Sequence, residues 1–434
     1  KGTLKGPYTR EEITSLVGPL WIPMPRFTIQ QGEAVRAVDN GSIFGQNSTV
    51  GVPWKLTLGG VDEIAAVSAA WLKAIGKDGR VRLRLSNGVV LEGRLHPTWK
   101  LSAVKKLVGR LADMKSAYRQ LAGLPGHAFA AVIAAWNDEI GAPAYFLSRA
   151  LLFGESAAVF GFNRVARFLN MVACRGLDLV VSGYYDDFTQ VETELLSSSA
   201  EYSFKRLFEI LGFDLSAEPH KDKRFQRKFA PLGVEVNFDE SLDGVLKLAP
   251  KEGRVEKVVE ACVGALERDQ MSVADARAMA GILRFLREGH FGRTGASVLR
   301  ALSDHTKYGE VLGLHRTLKE GLEWLVCYLP VAPPRRINAH DSGKLVSVFT
   351  DGAVDAERVT VGAVLFVEGA LPEVFGAVVP RDIERRWRSS GEEQVVAQAE
   401  LLPVLLALIV WKSKLAGRYV IWWMDNDGSR QGLV

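Results

Sequence analysis

The sequence predicts an α+β protein followed by a smaller α/β domain, and three observations carry that expectation. From Lys1 to about Pro250, helical spacing of apolar residues alternates with short apolar runs. Positions 252–328 are then helical throughout. After a proline pair the pattern becomes strand, strand, strand, helix, strand. The chain has 434 residues, 47% hydrophobic and 24% charged, more than one core usually holds, so two or three domains are expected. That apolar content excludes disorder, and three cysteines are too few for a disulfide scaffold. Cys174, Cys262 and Cys327 are widely separated in sequence, which excludes a close metal-ligating or redox pair. Free, mostly buried thiols fit an intracellular compartment, cytoplasmic or nuclear. The longest apolar run, 401–411, contains Pro403 and falls short of the roughly 20 residues that span a bilayer, so no membrane partner is expected.

Taken in order, WIPMPRFTIQ reads as a strand and GEAVRAVDN as a short alternating run closed by turn residues. Residues 77–98 read as a hairpin, with VRLRL going out, Asn87-Gly88 turning and VVLEGRL returning. Residues 101–112 fit either an amphipathic helix or a strand. In ESAAVFGFNRVARFLNMVACRG, Val159, Phe162, Val165, Ala166, Leu169 and Val172 share helical spacing, and Gly176 stops the helix. LDLVVSG makes a strand, Tyr184-Tyr185-Asp186-Asp187-Phe188 follows, and ETELLSSSAEYSFKRLFEILG predicts a second helix ending at Gly212. FAPLGVEVNF and GVLKLAP form a hairpin around DESLDG. In the helical stretch Ser272 and Asp275 have capping-box spacing. Residues 331–341 read as a linker, because Pro333-Pro334 favours extended backbone. Beyond it come strands LVSVFT, RVTVGAVLFVEG and EVFGAVVP, the helix EEQVVAQAELLPVLLALIVWKSKLAG and the strand RYVIWWMD.

Net charge is only +4, from 54 basic and 50 acidic residues, but the bases cluster. Lys100, Lys105, Lys106, Arg110, Lys115 and Arg119 surround Asp113; Lys221, Lys223, Arg224, Arg227 and Lys228 surround Asp222. Such patches suit either a polyanion held near metal ligands or two solvated faces.

Chemistry concentrates at Tyr184-Tyr185-Asp186-Asp187. Adjacent carboxylates in a tight turn repel, and a hard divalent cation between them relieves this; an acidic hairpin tip is the plain alternative. Asp113 lies well upstream of Asp186, behind apolar VGRLA, and opens DMKSAYRQL. Asp113 with Ala117-Tyr118, then Phe153-Gly154 before the long helix, then Tyr184 to Asp187, then Leu232-Gly233-Val234 form four motifs whose order and spacing resemble reverse transcriptases. The resemblance implies a right-hand polymerase, with fingers and palm over 1–245, a helical thumb and connection over 246–335, and a ribonuclease H-like domain over 341–434. It implies that Asp113 and Asp186, with Asp187 in support, hold two Mg²⁺ (or Mn²⁺) ions for in-line phosphoryl transfer. The implied partners are an RNA or DNA template with its primer and deoxynucleoside triphosphates.

By the same resemblance Tyr118 lies under the incoming sugar and excludes a 2′-hydroxyl, and Gly154 allows close backbone approach to template or nucleotide. Arg36, in Arg36-Ala37-Val38-Asp39 followed by Asn47, contacts the triphosphate, with Arg26 the alternative. Lys221 or Lys223 assists the leaving phosphate, and Leu232, Gly233 and Val234 grip the primer. MAGILRFLREGHFGRTGASVLRAL resembles the thumb region of retrotransposon polymerases, where Arg284, Arg287, Arg293 and Arg300 offer phosphate contacts; a solvated basic helix edge has the same pattern. The span from Asp39 to Asp113 exceeds the retroviral spacing, and the 77–98 hairpin fills the excess.

The tail carries Asp351-Gly352 at the end of its first strand, Glu400 on the helix and Asp425-Asn426 at the end of the fourth strand. Three acids in that order resemble ribonuclease H, where they bind two metals and activate water against RNA paired with DNA. Glu400 lies in AQAELLPVLLALIV, where an unpaired carboxylate is costly. That family has a fourth ligand and further helices beyond this point. With Lys1 first and Val434 last, the expectation is a piece of a longer protein whose nuclease domain is incomplete and of little activity. Two other readings share these residues: a non-catalytic relic that binds nucleic acid, and another two-metal palm enzyme such as a DNA-templated polymerase or nucleotide cyclase. Joint retention of Asp113, Asp186, Asp187 and Tyr118 speaks against the first. Ala117-Tyr118 and the appended nuclease-like domain speak against the second.

Overall fold

In the computed structural model the described residues are 2–31, 34–51, 54–218, 222–286, 289, 295–308, 313–340, 345–355, 358–389, 395–416, 418–426 and 428–429. They fall into two units, Lys1–Ala339 and His340–Val434. The first unit opens with β1 (Leu4–Tyr8) and α1 (Arg10–Val17), whose first turn is closed by a capping box between Thr9 and Glu12. Then follow β2 (Met24–Gln31), β3 (Ala34–Asp39), α2 (Val61–Ala74), β4 (Arg80–Arg84), β5 (Val90–Arg94), α3 (Leu101–Lys105) and β6 (Leu107–Asp113). The chain continues through β7 (Val132–Asn137), β8 (Ala142–Ser148), α4 (Ser156–Gly176), β9 (Val180–Tyr184), β10 (Asp187–Thr193) and α5 (Ser197–Ile210). β11 (Lys228–Phe229), β12 (Val234–Asn237) and β13 (Val245–Pro250) lead into four helices, α6 (Arg254–Arg268), α7 (Val273–Leu286), α8 (Ala296–Tyr308) and α9 (Arg316–Tyr328), and β14 (Arg335–Asn338) ends the unit.

The sheet that matters for chemistry has the order β6-β10-β9, all antiparallel. Both its faces are covered, so that even the polar Thr189, Gln190, Glu192 and Thr193 of β10 are buried. Ala112, Met114, Val181 and Phe188 pack on Phe162 and Leu169 of α4 and on Phe204 and Phe208 of α5. Leu107 and Val191 point the other way, into a core shared with Ile64 and Leu72 of α2 and with Val234, Val236, Leu246 and Leu248 of β12 and β13. Full burial of a side chain such as Phe188 contributes roughly 1.5–3 kcal/mol, so the sheet is held firmly from both sides. α6 to α9 form their own core around Val258, Cys262, Leu283, Leu302, Leu318 and Leu322. At the start of α7, Asp275 N donates to Ser272 Oγ as the spacing predicted, and the Ser272 hydroxyl donates back to the Asp275 carboxylate.

Several expectations need correction. The helix predicted from Glu192 begins at Ser197, because Glu192 and Thr193 pair with Val108 and Leu107 as the end of β10. Residues 101–112 are helix and strand in turn. The predicted linker contains β14, which pairs with β13 and completes a β11-β12-β13-β14 sheet. α1, α2 and the β7–β8 hairpin were not anticipated. Cys262 is buried, but Cys174 is half-buried and Cys327 exposed. The β4–β5 hairpin forms as predicted around Asn87-Gly88, with Gly88 at φ +86°.

The second unit runs β15 (Val346–Val354), β16 (Val359–Val367), β17 (Glu373–Val378), α10 (Arg381–Ser389), α11 (Val396–Val410), α12 (Lys412–Leu415) and β18 (Val420–Trp423). Its sheet has the order β17-β16-β15-β18, with β15 and β18 parallel as a helical crossover requires. Ala407, Trp411 and Leu415 pack on Val346, Val348, Ala363 and Leu365. α10 was not predicted. Among the described residues no helix is long and apolar enough to cross a membrane.

Candidate active sites

Strand register builds the first site. Asp113, last in β6, lies opposite Asp187, first in β10, and Met114 N donates to the Asp186 carbonyl at 3.1 Å. Asp187 also lies opposite Tyr184 of β9, so Tyr185 and Asp186 form a two-residue turn. Tyr185 takes φ +52° there, a left-handed conformation that glycine adopts freely and a tyrosine does not. Its ring packs into the α4–α5 core and edge-on to Tyr184 at 5.2 Å, which holds the turn in place. The register thus brings Asp113, Asp186 and Asp187 to one end of one sheet.

Tyr118 lies in a short helical turn over residues 117–120. Its ring stacks on Phe162 of α4 at 4.7 Å and meets Phe153 edge-on at 5.7 Å. Burial, with the neighbouring charge of Asp186 and then Tyr185, pushes its phenol up to about 12. The hydroxyl is therefore neutral at any working pH and lies within electrostatic reach of Asp186.

Gly154 takes φ +106°, and a Cβ there would come within 1.9 Å of the Asp39 carbonyl oxygen. The close approach expected of Gly154 is thus made to the protein's own β3. Asn47 secures the junction: its Oδ1 accepts from Ser156 N at 2.8 Å, at the start of α4, and its Nδ2 donates to the Gly154 carbonyl at 3.0 Å. Arg26 is bidentate to buried Asp39, at 2.7 and 2.9 Å, so its charge is already matched. Arg36 lies in β3, but its side chain is outside the described residues.

Lys221 is also outside the described residues, whereas Lys223 is exposed. The backbone leading away from Lys223 is tied to β6 by reciprocal bonds between Gly109 and Gln226. The chief anchor is Arg110, with a fully buried side chain, which bonds to Asp222 at 2.9 Å and lies 3.6 Å from Glu201. Lys205 bridges the same two carboxylates, Glu201 at 2.9 Å and Asp222 at 2.7 Å. Leu232 (φ +50°) and Gly233 (φ +80°) form a tight turn entering β12, and a Cβ on Gly233 would collide with the Arg254 guanidinium. A cavity of about 140 Å³ lies between this turn and the Tyr184–Asp187 end of the sheet. Arg284 and Arg300 are exposed on α7 and α8; Arg287 and Arg293 are outside the described residues.

In the second unit the ligand oxygens of Asp351, Glu400 and Asp425 lie within 4.8 Å of one another, the group among the described residues that meets this test. Asp351 is inside β15, which continues to Val354, and Asp425 lies past the end of β18 at Trp423, so neither ends its strand as expected. Glu400 is 5% exposed and its Oε2 has no hydrogen-bond partner. Burial, then Asp425 and Asp351, raises its carboxyl above the usual range. A buried orphan oxygen facing two more carboxylates fits a divalent cation. Gly352 makes the geometry possible, since a Cβ there would meet the Ala399 carbonyl oxygen at 2.3 Å.

The supporting residues Arg110, Asn47 and Asp39 were missed as supports. Arg110 carried a signal, a lone charge in the apolar strand LVGRLA. The others touch partners far away in sequence, which no local pattern encodes.

No family model and no curated protein matches this sequence. Among solved structures the chain is similar to a foamy viral protease-reverse transcriptase in complex with dsDNA, at 12% identity and a TM-score of 0.47, over 98% of this chain and 80% of that one.

Proposed function

We propose that the chain is an RNA-directed DNA polymerase that adds deoxynucleotides to a primer 3′ end on an RNA or DNA template, with a ribonuclease H-like second unit. The supporting observation is the register that sets Asp113 opposite Asp187 with Asp186 in the adjoining turn. In this reading residues 1–245 are fingers and palm and 246–335 the thumb and connection, with β14 closing the palm-side sheet.

When bound, two Mg²⁺ or Mn²⁺ ions supply activation of the primer 3′-hydroxyl and neutralise charge on the leaving pyrophosphate. Asp113 and Asp186 hold them, with Asp187 in support. Tyr118, flat against Phe162, presents a neutral ring beneath the sugar and excludes a 2′-hydroxyl. Gly154 and Asn47 fix the start of α4 against β3, and so fix Phe162 under that ring. Arg36 contacts the triphosphate, Lys221 or Lys223 assists the leaving phosphate from the Arg110-anchored segment, and Leu232, Gly233 and Val234 hold the primer. In the second unit Asp351, Glu400 and Asp425 would hold divalent ions, which when bound would supply activation of water against the RNA of a hybrid.

Primer extension on poly-rA/oligo-dT with Mg²⁺ or Mn²⁺ tests the reading. The parent chain is expected to extend, and Asp186→Asn to lose about 100-fold or more, the scale of losing a main electrostatic contributor. No extension by the parent with either metal would sink it.

A further inference from the structure

We propose that the outward face of α4 is a binding site for single-stranded nucleic acid, separate from the acids at the β9–β10 turn. A cleft of about 700 Å³ runs along this face, lined by Trp54, Arg164, Arg167, Phe168, Asn170 and Arg175 among others. Positions 164, 167, 168, 171 and 175 recur at three- and four-residue spacing, so the arginines and Phe168 share one side of the helix. None of the three arginines has a carboxylate within 4.0 Å among the described residues, whereas Arg26 and Arg110 on neighbouring elements are both paired. Glu63, whose charge reaches Cys174 at one end of the cleft, already accepts the Ser182 hydroxyl at 2.6 Å. Three guanidinium groups with no carboxylate partner among the described residues, gathered in one concavity, call for an anionic occupant.

The aromatic residues specify which. The Arg164 guanidinium lies 4.2 Å over the Trp54 ring, and Phe160 braces Trp54 edge-on at 5.9 Å. Phe168 is 49% exposed, in the middle of α4 and on the same side as the arginines. Exposed rings interleaved with arginines are the pattern that stacks unpaired bases while guanidinium groups follow the phosphates. Duplex bases keep their faces to themselves, so the occupant is a single strand. From Arg164 to Arg175 the helix rises about 16 Å, close to five nucleotides at roughly 3.4 Å each. None of these residues belongs to the proposed polymerase site, so the two readings stand or fall separately.

Fluorescence anisotropy of labelled dT12 and rU12 with the full chain, in EDTA over a range of NaCl concentrations, provides the test. EDTA removes any contribution from catalysis, so failure of the polymerase reading leaves this measurement intact. The triple variant Arg164→Ala, Arg167→Ala, Arg175→Ala is expected to bind about tenfold more weakly or worse. Its slope of log affinity against log salt should be shallower by about 2, the loss of three phosphate contacts at roughly 0.7 each. The matching triple lysine variant should restore the slope, which a folding defect in the alanine variant would not mimic. Phe168→Ala should weaken binding severalfold with the slope unchanged. An unchanged slope in the alanine triple variant overturns the proposal. So does polyglutamate displacing dT12 as well as unlabelled dT12 does, which would mark an acidic protein as the occupant.

Discussion

Arg110 is the side chain on which the first site's surroundings most depend. A fully buried guanidinium is tolerable only because Asp222 and Glu201 face it. Removing one partner strands the charge, so Asp222→Ala is expected to cost about 3 kcal/mol, the low end for a buried pair because the acids are partly solvated. Arg110→Met removes the charge instead and should cost less in urea unfolding. If both cost the same, the pair is not what anchors the Lys223 segment. Glu400 offers the opposite sign. Its folded pKa is raised above the unfolded value, so as pH rises past the unfolded value the charged form costs the fold stability. Glu400→Gln should therefore raise the melting temperature of the metal-free chain at neutral pH, whereas Mg²⁺ is expected to stabilise the parent and to stabilise the variant less. Among the thiols, Cys262 is held up to about 11 by burial and Cys174 is raised for the same reason, while Cys327 is exposed. Iodoacetamide in mildly alkaline buffer should label Cys327 first, read by peptide mass.

At the scale of elements, α4 was legible because one face is apolar along nearly its whole length and Gly176 marks its end. α5 was misjudged at its start because Glu192 and Thr193 suit a helix equally well; their pairing with β6 decides, and that partner lies far upstream in the chain. α2 has Gly60 where a capping side chain would have signalled a start, and β7–β8 has no asparagine-glycine turn. The candidate acids Asp186 and Asp187 stand out in the sequence because carboxylates in a turn need a reason; their position opposite Asp113 depends on strand register, which no local pattern encodes. Two junctions can be probed directly. Gly154→Ala places a methyl against the Asp39 carbonyl at a left-handed φ, and about 2 kcal/mol or more should be lost in thermal unfolding. A chain cut after residue 334, inside the predicted linker, leaves the edge of β13 unpaired and should aggregate more than one cut after residue 339.

For the whole molecule, the near-neutral net charge conceals opposed local fields. Acids gather in two groups, while along α4 three arginines have no carboxylate partner among the described residues, so these fields cancel in the sum. The two units have separate cores, and calorimetry should resolve two transitions, with Glu400→Gln shifting one of them.

The place of β14 also sets a timetable. β13 and β14 are neighbours in one sheet, yet positions 251–334 intervene, most of them in helices with their own core. At about 5–20 residues per second, a ribosome takes roughly 4–17 s to make that stretch. For that interval the growing chain carries β13 with one side open. The helices between are a spacer with a core of their own, so a slow codon run within 251–334 would prolong that exposure with no residue of either candidate site changed.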